Sequence, residues 1–224
     1  MASLSEKKII EDYNKKMTPD EWKKEYKENE TPHYTNETKH SPLADELLRD
    51  LRREGVKKAD ILEIGCGNGR DSIYLANQGH KVVGIDIVPE AVKMAKEKGM
   101  GILNVSFEIG NAERLKFGRE SFDAVYSVAA LHSTPIRFTF REVNRVLKSK
   151  GQAKLFLYTR TKTGDKWVSY WTPGEIKQMA EEEGFRVEKF REGHDVEPIE
   201  IPGVDGKVNQ ETHLVVTTLR KKVA

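Results

Sequence analysis

Residues 61–70 read ILEIGCGNGR: a short apolar run carrying one carboxylate breaks into glycines at positions 65, 67 and 69. Glycine permits a tight turn and lets another group approach the backbone closely. An apolar run before the glycines and a helical pattern over 70–78 make this a strand–loop–helix unit. The helix N-terminus, with its free N–H groups, would then point at whatever the loop holds.

The texture that follows extends this unit into a fold. Strands are expected at 60–64, 81–85, 105–109, 122–127 and 153–158, and helices at 70–78, 89–98 and from Thr134-Pro135 through Lys148. Strands alternating with helices argue for a parallel sheet covered on both faces, and crossover handedness makes it doubly wound. Thr172-Pro-Gly-Glu175 fits a capping box for a helix ending at Gly184. Strands at 185–190 and 213–219 follow with no helix between them, so they should pair antiparallel. Residues 191–212, with two prolines and three glycines, are read as a long connection.

Ahead of this α/β unit lie helical signals. Ser3-Leu-Ser-Glu6 and Thr18-Pro-Asp-Glu21 both fit capping boxes, and Ser41-Pro42 opens a third helix through Arg53 with Leu43, Leu47, Leu48 and Leu51 inward. The organisation read here is a helical lid over 1–54 and an α/β domain over 55–224, with the polar stretch 28–40, containing His33 and Tyr34, inside the lid.

Composition narrows the partners. Thirty-eight basic against 36 acidic residues give a net charge of +2, well mixed along the chain, so no nucleic-acid-binding stripe is expected. No apolar run approaches the ~18 residues that span a bilayer, and the start has no signal-peptide layout. The single cysteine, Cys66, excludes an internal disulfide and argues against structural zinc, making a reducing cytoplasm the expected location.

Three guests compete for the loop. A nucleoside triphosphate needs G-x-x-x-x-G-K-[ST], which is absent. A dinucleotide loop needs a glycine where Arg70 stands; here the third glycine comes one residue early, at Gly69. Glu63, a carboxylate inside the strand at the expected mouth of the site, suits a guest carrying an ammonium. Asp86 ends the second strand about 20 residues on, where an acid can accept both hydroxyls of a ribose.

Taken in order, ILEIGCGNGR, VVGID, IGNAERL and FDAVYSVAALH resemble the successive motifs of class I S-adenosylmethionine-dependent methyltransferases, over about residues 45–190 plus the terminal strand. A weaker similarity is to the thiopurine and tellurite-resistance small-molecule branch. The resemblance implies a Rossmann-like, seven-stranded, mostly parallel sheet with an antiparallel last strand. It implies that Glu63, Gly65, Cys66 and Gly67 line the methionine part of S-adenosyl-L-methionine, Asp86 holds the ribose and Ile87 packs on the adenine. Asn111 and Ala112 would meet the adenine edge; the family often has Asp where Asn111 stands. The product would be S-adenosyl-L-homocysteine.

Methyl transfer needs an aligned nucleophile and a base only where that nucleophile must lose a proton. His132, after the fourth strand, is the candidate for that proton, though a histidine here also fits a plain cofactor contact or loop cap. His33, Tyr34, Trp167, Tyr170 and Trp171 are candidates for the acceptor side, against the commoner reading of loop or packing residues. No metal is expected, because 128–137 has no clustered acids. The [DNS]-P-P-[YF] signature and a Pro-Cys pair are both missing, leaving a small-molecule acceptor in front of a protein or peptide nitrogen. Rival readings are an NAD-dependent oxidoreductase and a non-catalytic cofactor-binding module.

Overall fold

The computed structural model describes residues 19–28, 39–163, 166–169, 171–200 and 207–223. Its elements are α1 (Pro19–Glu28), α2 (Pro42–Arg53), β1 (Asp60–Ile64), α3 (Arg70–Asn77), β2 (Lys81–Asp86), α4 (Pro89–Lys98) and β3 (Val105–Ile109). They continue with β4 (Phe122–Val128), a 3₁₀ turn (Leu131–Ser133), α5 (Ile136–Val146), β5 (Leu147–Thr163), β6 (Lys166–Ser169), α6 (Pro173–Glu182), β7 (Phe185–Glu200) and β8 (Lys207–Lys221). The helix expected after Ser3, the Thr18 cap, His33, Tyr34 and Tyr170 lie outside the described residues.

The strands form one sheet in the order β3-β2-β1-β4-β5-β8-β7, with β6 folded back on β5. All contacts from β3 through β5 are parallel, whereas β8 runs antiparallel to both β5 and β7. This is the mostly parallel, doubly wound sheet with an antiparallel last strand. The chain reverses direction across the sheet between β1 and β4, the place where such folds open a crevice at the carboxyl ends of their strands.

Two apolar layers hold the helices on. On one face Leu62, Val125, Leu155 and Leu157 pack with Phe140 and Val143 of α5 and Ile176 of α6. On the other, Ile61, Ala124 and Tyr126 pack against Leu43, Leu47, Leu48 and Leu51 of α2 and Leu75 of α3. The residues expected to face inward from α2 therefore do so, on the core of the sheet. Ser41 caps α2 by accepting the Leu43 N–H at 3.2 Å, and Thr172 and Glu175 complete the expected capping box of α6.

Several expected boundaries need correction. Helix α5 stops at Val146 because the chain passes directly into β5, so Lys148 is strand. Thr134 does not cap α5; its hydroxyl donates to the Leu131 carbonyl at 2.7 Å and closes the 3₁₀ turn. Strands β5, β7 and β8 extend well past 153–158, 185–190 and 213–219. The stretch 191–212, read as a connection, consists largely of the two arms of a β7–β8 hairpin. Pro198 falls on β7, the edge strand of the sheet, which is where a proline is best tolerated.

Candidate active site

The glycine loop is shaped by its neighbours. Gly65, Gly67 and Gly69 all have left-handed φ, at 74°, 52° and 81°. A Cβ on Gly65 would collide with the Cβ of Ala130 after β4, and one on Gly69 would lie 2.7 Å from the Phe107 ring. The loop's amides are engaged within the fold. Gly65 and Cys66 donate to the Ile85 carbonyl at 2.8 and 2.9 Å, and Gly69 to the Cys66 carbonyl at 2.9 Å. Gly67 donates to Asp86 Oδ2 at 2.9 Å and Arg70 to Asn68 Oδ1 at 3.2 Å. Four loop amides, those of Gly65, Cys66, Gly67 and Gly69, are thus spent within the fold, as is that of Arg70 at the start of α3.

Asp86 closes β2 beside the loop. Its second oxygen accepts the Val88 N–H at 3.0 Å, so backbone amides fix its rotamer, and a carboxylate has about four acceptor sites, more than these amides fill. Burial pushes its carboxyl above the usual range, against the pull of those amides. Glu63 lies lower than expected. It is 3% exposed, beneath the loop, and accepts from the Ser72 hydroxyl of α3. Burial, then the neighbouring Asp71 carboxylate, push its carboxyl well above the carboxylate range. Burial also raises the Cys66 thiol well above its usual value, so Cys66 is a small lining residue with no thiolate character.

The other expected positions are distributed over several elements. Ile87 is 36% exposed, an apolar side chain left open just after β2. Asn111 folds its carboxamide oxygen back onto the Glu113 N–H at 2.8 Å, retaining one lone pair, and Ala112 is buried beside it. His132 sits buried in the 3₁₀ turn with its ring edge-on to Tyr158 at 4.9 Å between centroids. Trp171 packs partly buried on the α5–α6 side of the core, and Trp167 lies in β6, the strand folded onto β5.

Residues 61–151 match the methyltransferase domain family. An uncharacterized protein of Methanocaldococcus jannaschii is 37% identical over 54% of this chain and 45% of its own length. The 2-heptyl-1-hydroxyquinolin-4(1H)-one methyltransferase of Mycobacteroides abscessus is 31% identical over 41% of this chain and 40% of its own. A solved SAM-dependent methyltransferase of Methanosarcina mazei superposes with a TM-score of 0.58 at 23% identity, covering 75% of this chain and 94% of that one. What this chain shares is therefore a methyltransferase domain match over residues 61–151 and, beyond it, the fold of solved methyltransferases. The chain spans about half the length, or less, of the two curated relatives described.

Within this methyltransferase domain, sequence reasoning missed the residues that brace the loop from behind. Asp71, 3% exposed, accepts the Ser41 N–H at 2.8 Å, the Tyr126 hydroxyl at 2.9 Å and Arg70 Nε at 2.9 Å. Tyr74, one turn on, donates its hydroxyl to Asp45 at 2.6 Å and stacks on His40 at 3.4 Å between centroids. Helix α3 thus ties the glycine loop to the start of α2. The signal was an acid directly after Arg70, at a first helical turn, where it reads equally well as a favourable helix-dipole charge.

Proposed function

We propose that this chain transfers a methyl group from S-adenosyl-L-methionine to an O, N or S nucleophile of a small-molecule acceptor. The observation that carries this reading is the loop in which the amides of Gly65, Cys66, Gly67 and Gly69 are engaged internally while the Asp86 carboxylate stands fixed beside it. That arrangement offers hydrogen-bond acceptors to a ribose and close approach to an uncharged chain, and little to a pyrophosphate, which weighs against the NAD reading.

The residues present fit the cofactor. The glycine loop leaves space that a Cβ would fill, Asp86 keeps acceptor capacity for a ribose hydroxyl, and the exposed Ile87 side chain offers adenine an apolar face. Asn111 and Ala112 would meet the adenine edge. Glu63, with Gly65, Cys66 and Gly67, forms the floor of the methionine end. When bound, the cofactor supplies a methyl carbon already activated by its sulfonium. The chain's own task is to align the acceptor and exclude water. His132 would take the proton from an acceptor that must lose one, holding it on the imidazole. The heptyl-hydroxyquinolone relative favours a small acceptor over a protein nitrogen.

Calorimetric titration with S-adenosylmethionine, S-adenosylhomocysteine and NAD tests the reading. Both adenosyl-sulfur ligands should bind and NAD should not. Asp86→Ala should weaken binding by about 10- to 100-fold, the worth of charge-assisted hydrogen bonds of ~1.5–3 kcal/mol. Binding of NAD alone would sink the methyltransferase reading.

A further inference from the structure

The sheet face beneath α2 changes character toward the carboxyl ends of its strands. Tyr126, Lys154 and Thr218 share one row across β4, β5 and β8. That row is ionic, for buried Lys154 pairs with Asp50 of α2 at 2.5 Å. The next row, Val128, Phe156 and Val216, is apolar and only partly buried, packed at the margin of the α2–α3 cluster. The row beyond holds Tyr158 and Leu214, with Gly193 opposite Leu214 on β7.

Within these rows Phe156 and Tyr158 join His132 in one aromatic cluster, bordered by the aliphatic side chains. The Tyr158 ring is edge-on to Phe156 at 5.3 Å and to His132 at 4.9 Å between centroids. His132 follows two residues after Ala130, whose Cβ occupies the space that a side chain on Gly65 would need. The patch therefore begins where the glycine loop's own neighbour ends. A Cβ on Gly193 would stand 2.8 Å from Leu214 Cδ1, so the missing side chain is what lets Leu214 lie over β7. Arg191, in register with Val216, directs its charge to Glu46 of α2 at 2.6 Å.

We propose that Phe156, Tyr158, Leu214 and His132 seat a planar, uncharged aromatic ring of the methyl acceptor, with Gly193 setting the depth of the seat. The proposal rests on the methyltransferase reading and adds the class of acceptor. Edge-to-face aromatic pairs present ring faces on which a further ring stacks. A charged acceptor would lose hydration against these apolar rows, while the neighbouring carboxylates Glu46 and Asp50 are already paired with Arg191 and Lys154.

The test uses the full chain and two probes, 2-naphthol and cyclohexylammonium, titrated with and without S-adenosylhomocysteine. 2-Naphthol should bind saturably and cyclohexylammonium should not. Tyr158→Ala should weaken 2-naphthol about tenfold or more, from lost stacking and apolar contact, while Tyr158→Phe should stay within about threefold because the ring remains. Gly193→Ala, which pushes only the flexible end of Leu214, should also weaken it. Affinity for S-adenosylhomocysteine should be the same in all three variants, showing that each is folded. Failure of 2-naphthol to bind, equal binding of the charged amine, or variants indistinguishable from wild type would overturn the proposal. Failure of S-adenosylhomocysteine to bind would instead strike the methyltransferase reading, with the 2-naphthol titration still deciding whether the aromatic seat exists.

Discussion

Glu63 sits in β1 with Gly84 of β2 and Tyr126 of β4 as its lateral neighbours, sealed under the loop it precedes. Burial, then Asp71, raise its carboxyl well above the ordinary value of 4.5, so the folded chain holds this proton more tightly than the unfolded one. The resulting stability is complete below the unfolded value and is lost as pH rises through the folded one. Glu63→Gln keeps a polar group of the same shape beside Ser72 without the charge. Its melting temperature should approach that of wild type at about pH 5 and exceed it progressively toward about pH 8. Each pH unit between the two values contributes about 1.4 kcal/mol, or about 3–5 °C in a chain of this size. A gap that stays constant with pH would refute the assignment. The sequence made this carboxylate legible as a site residue but placed it at the mouth. Position in a strand tells which residue faces the loop, whereas depth is set by Ser72 and Asp71, which arrive from α3.

Helix α2 is held at two levels, an apolar one through Leu47, Leu48 and Leu51 and an ionic one through Asp50. Burial pushes the Asp50 carboxyl up, and hydrogen bonds from Lys154 and Lys189 more than offset this, holding it below the usual range. Removing one partner of a buried pair leaves the other charge stranded. Asp50→Ala should therefore cost about 3–5 kcal/mol in urea unfolding, by leaving buried Lys154 with only the more distant Glu46 carboxylate at 3.8 Å. The double change Asp50→Ala, Lys154→Met should recover much of that loss. A cost below about 1 kcal/mol for the single change would mean that Lys154 finds water instead. Periodicity revealed the apolar stripe of α2, because it repeats every three to four residues on one face. It could not reveal the pairing of Asp50 with Lys154, a partner over a hundred residues away. Strand ends failed for a related reason. Alternation marks strands only where one face is buried, and the outer arms of β7 and β8 carry charged residues and a proline where no such contrast exists.

Across the whole molecule, the carboxyl ends of β1 to β4 carry the parts of the proposed cofactor site. The glycine loop comes from β1, Asp86 from β2, Asn111 from the end of β3 and His132 from the turn after β4. Motif order along the chain revealed that these share one side of the sheet, since parallel strands of one hand deliver all their carboxyl ends there. A ligand seated there bridges both halves of the sheet, so its binding should stabilise them together. At about 100 times its dissociation constant, S-adenosylhomocysteine should add about 2.7 kcal/mol and raise the melting temperature by about 5–11 °C. Amide exchange should slow at 65–69, at 86–88 and at 129–133, the last through Ala130 against Gly65. Protection confined to the first two segments would show that the β4 turn moves independently of the cofactor, and His132 would then not be poised by it. Slowing that reaches 129–133 but leaves the outer β7–β8 hairpin unchanged would mean that the cofactor organises the methyl end and leaves acceptor choice to a separate part of the fold.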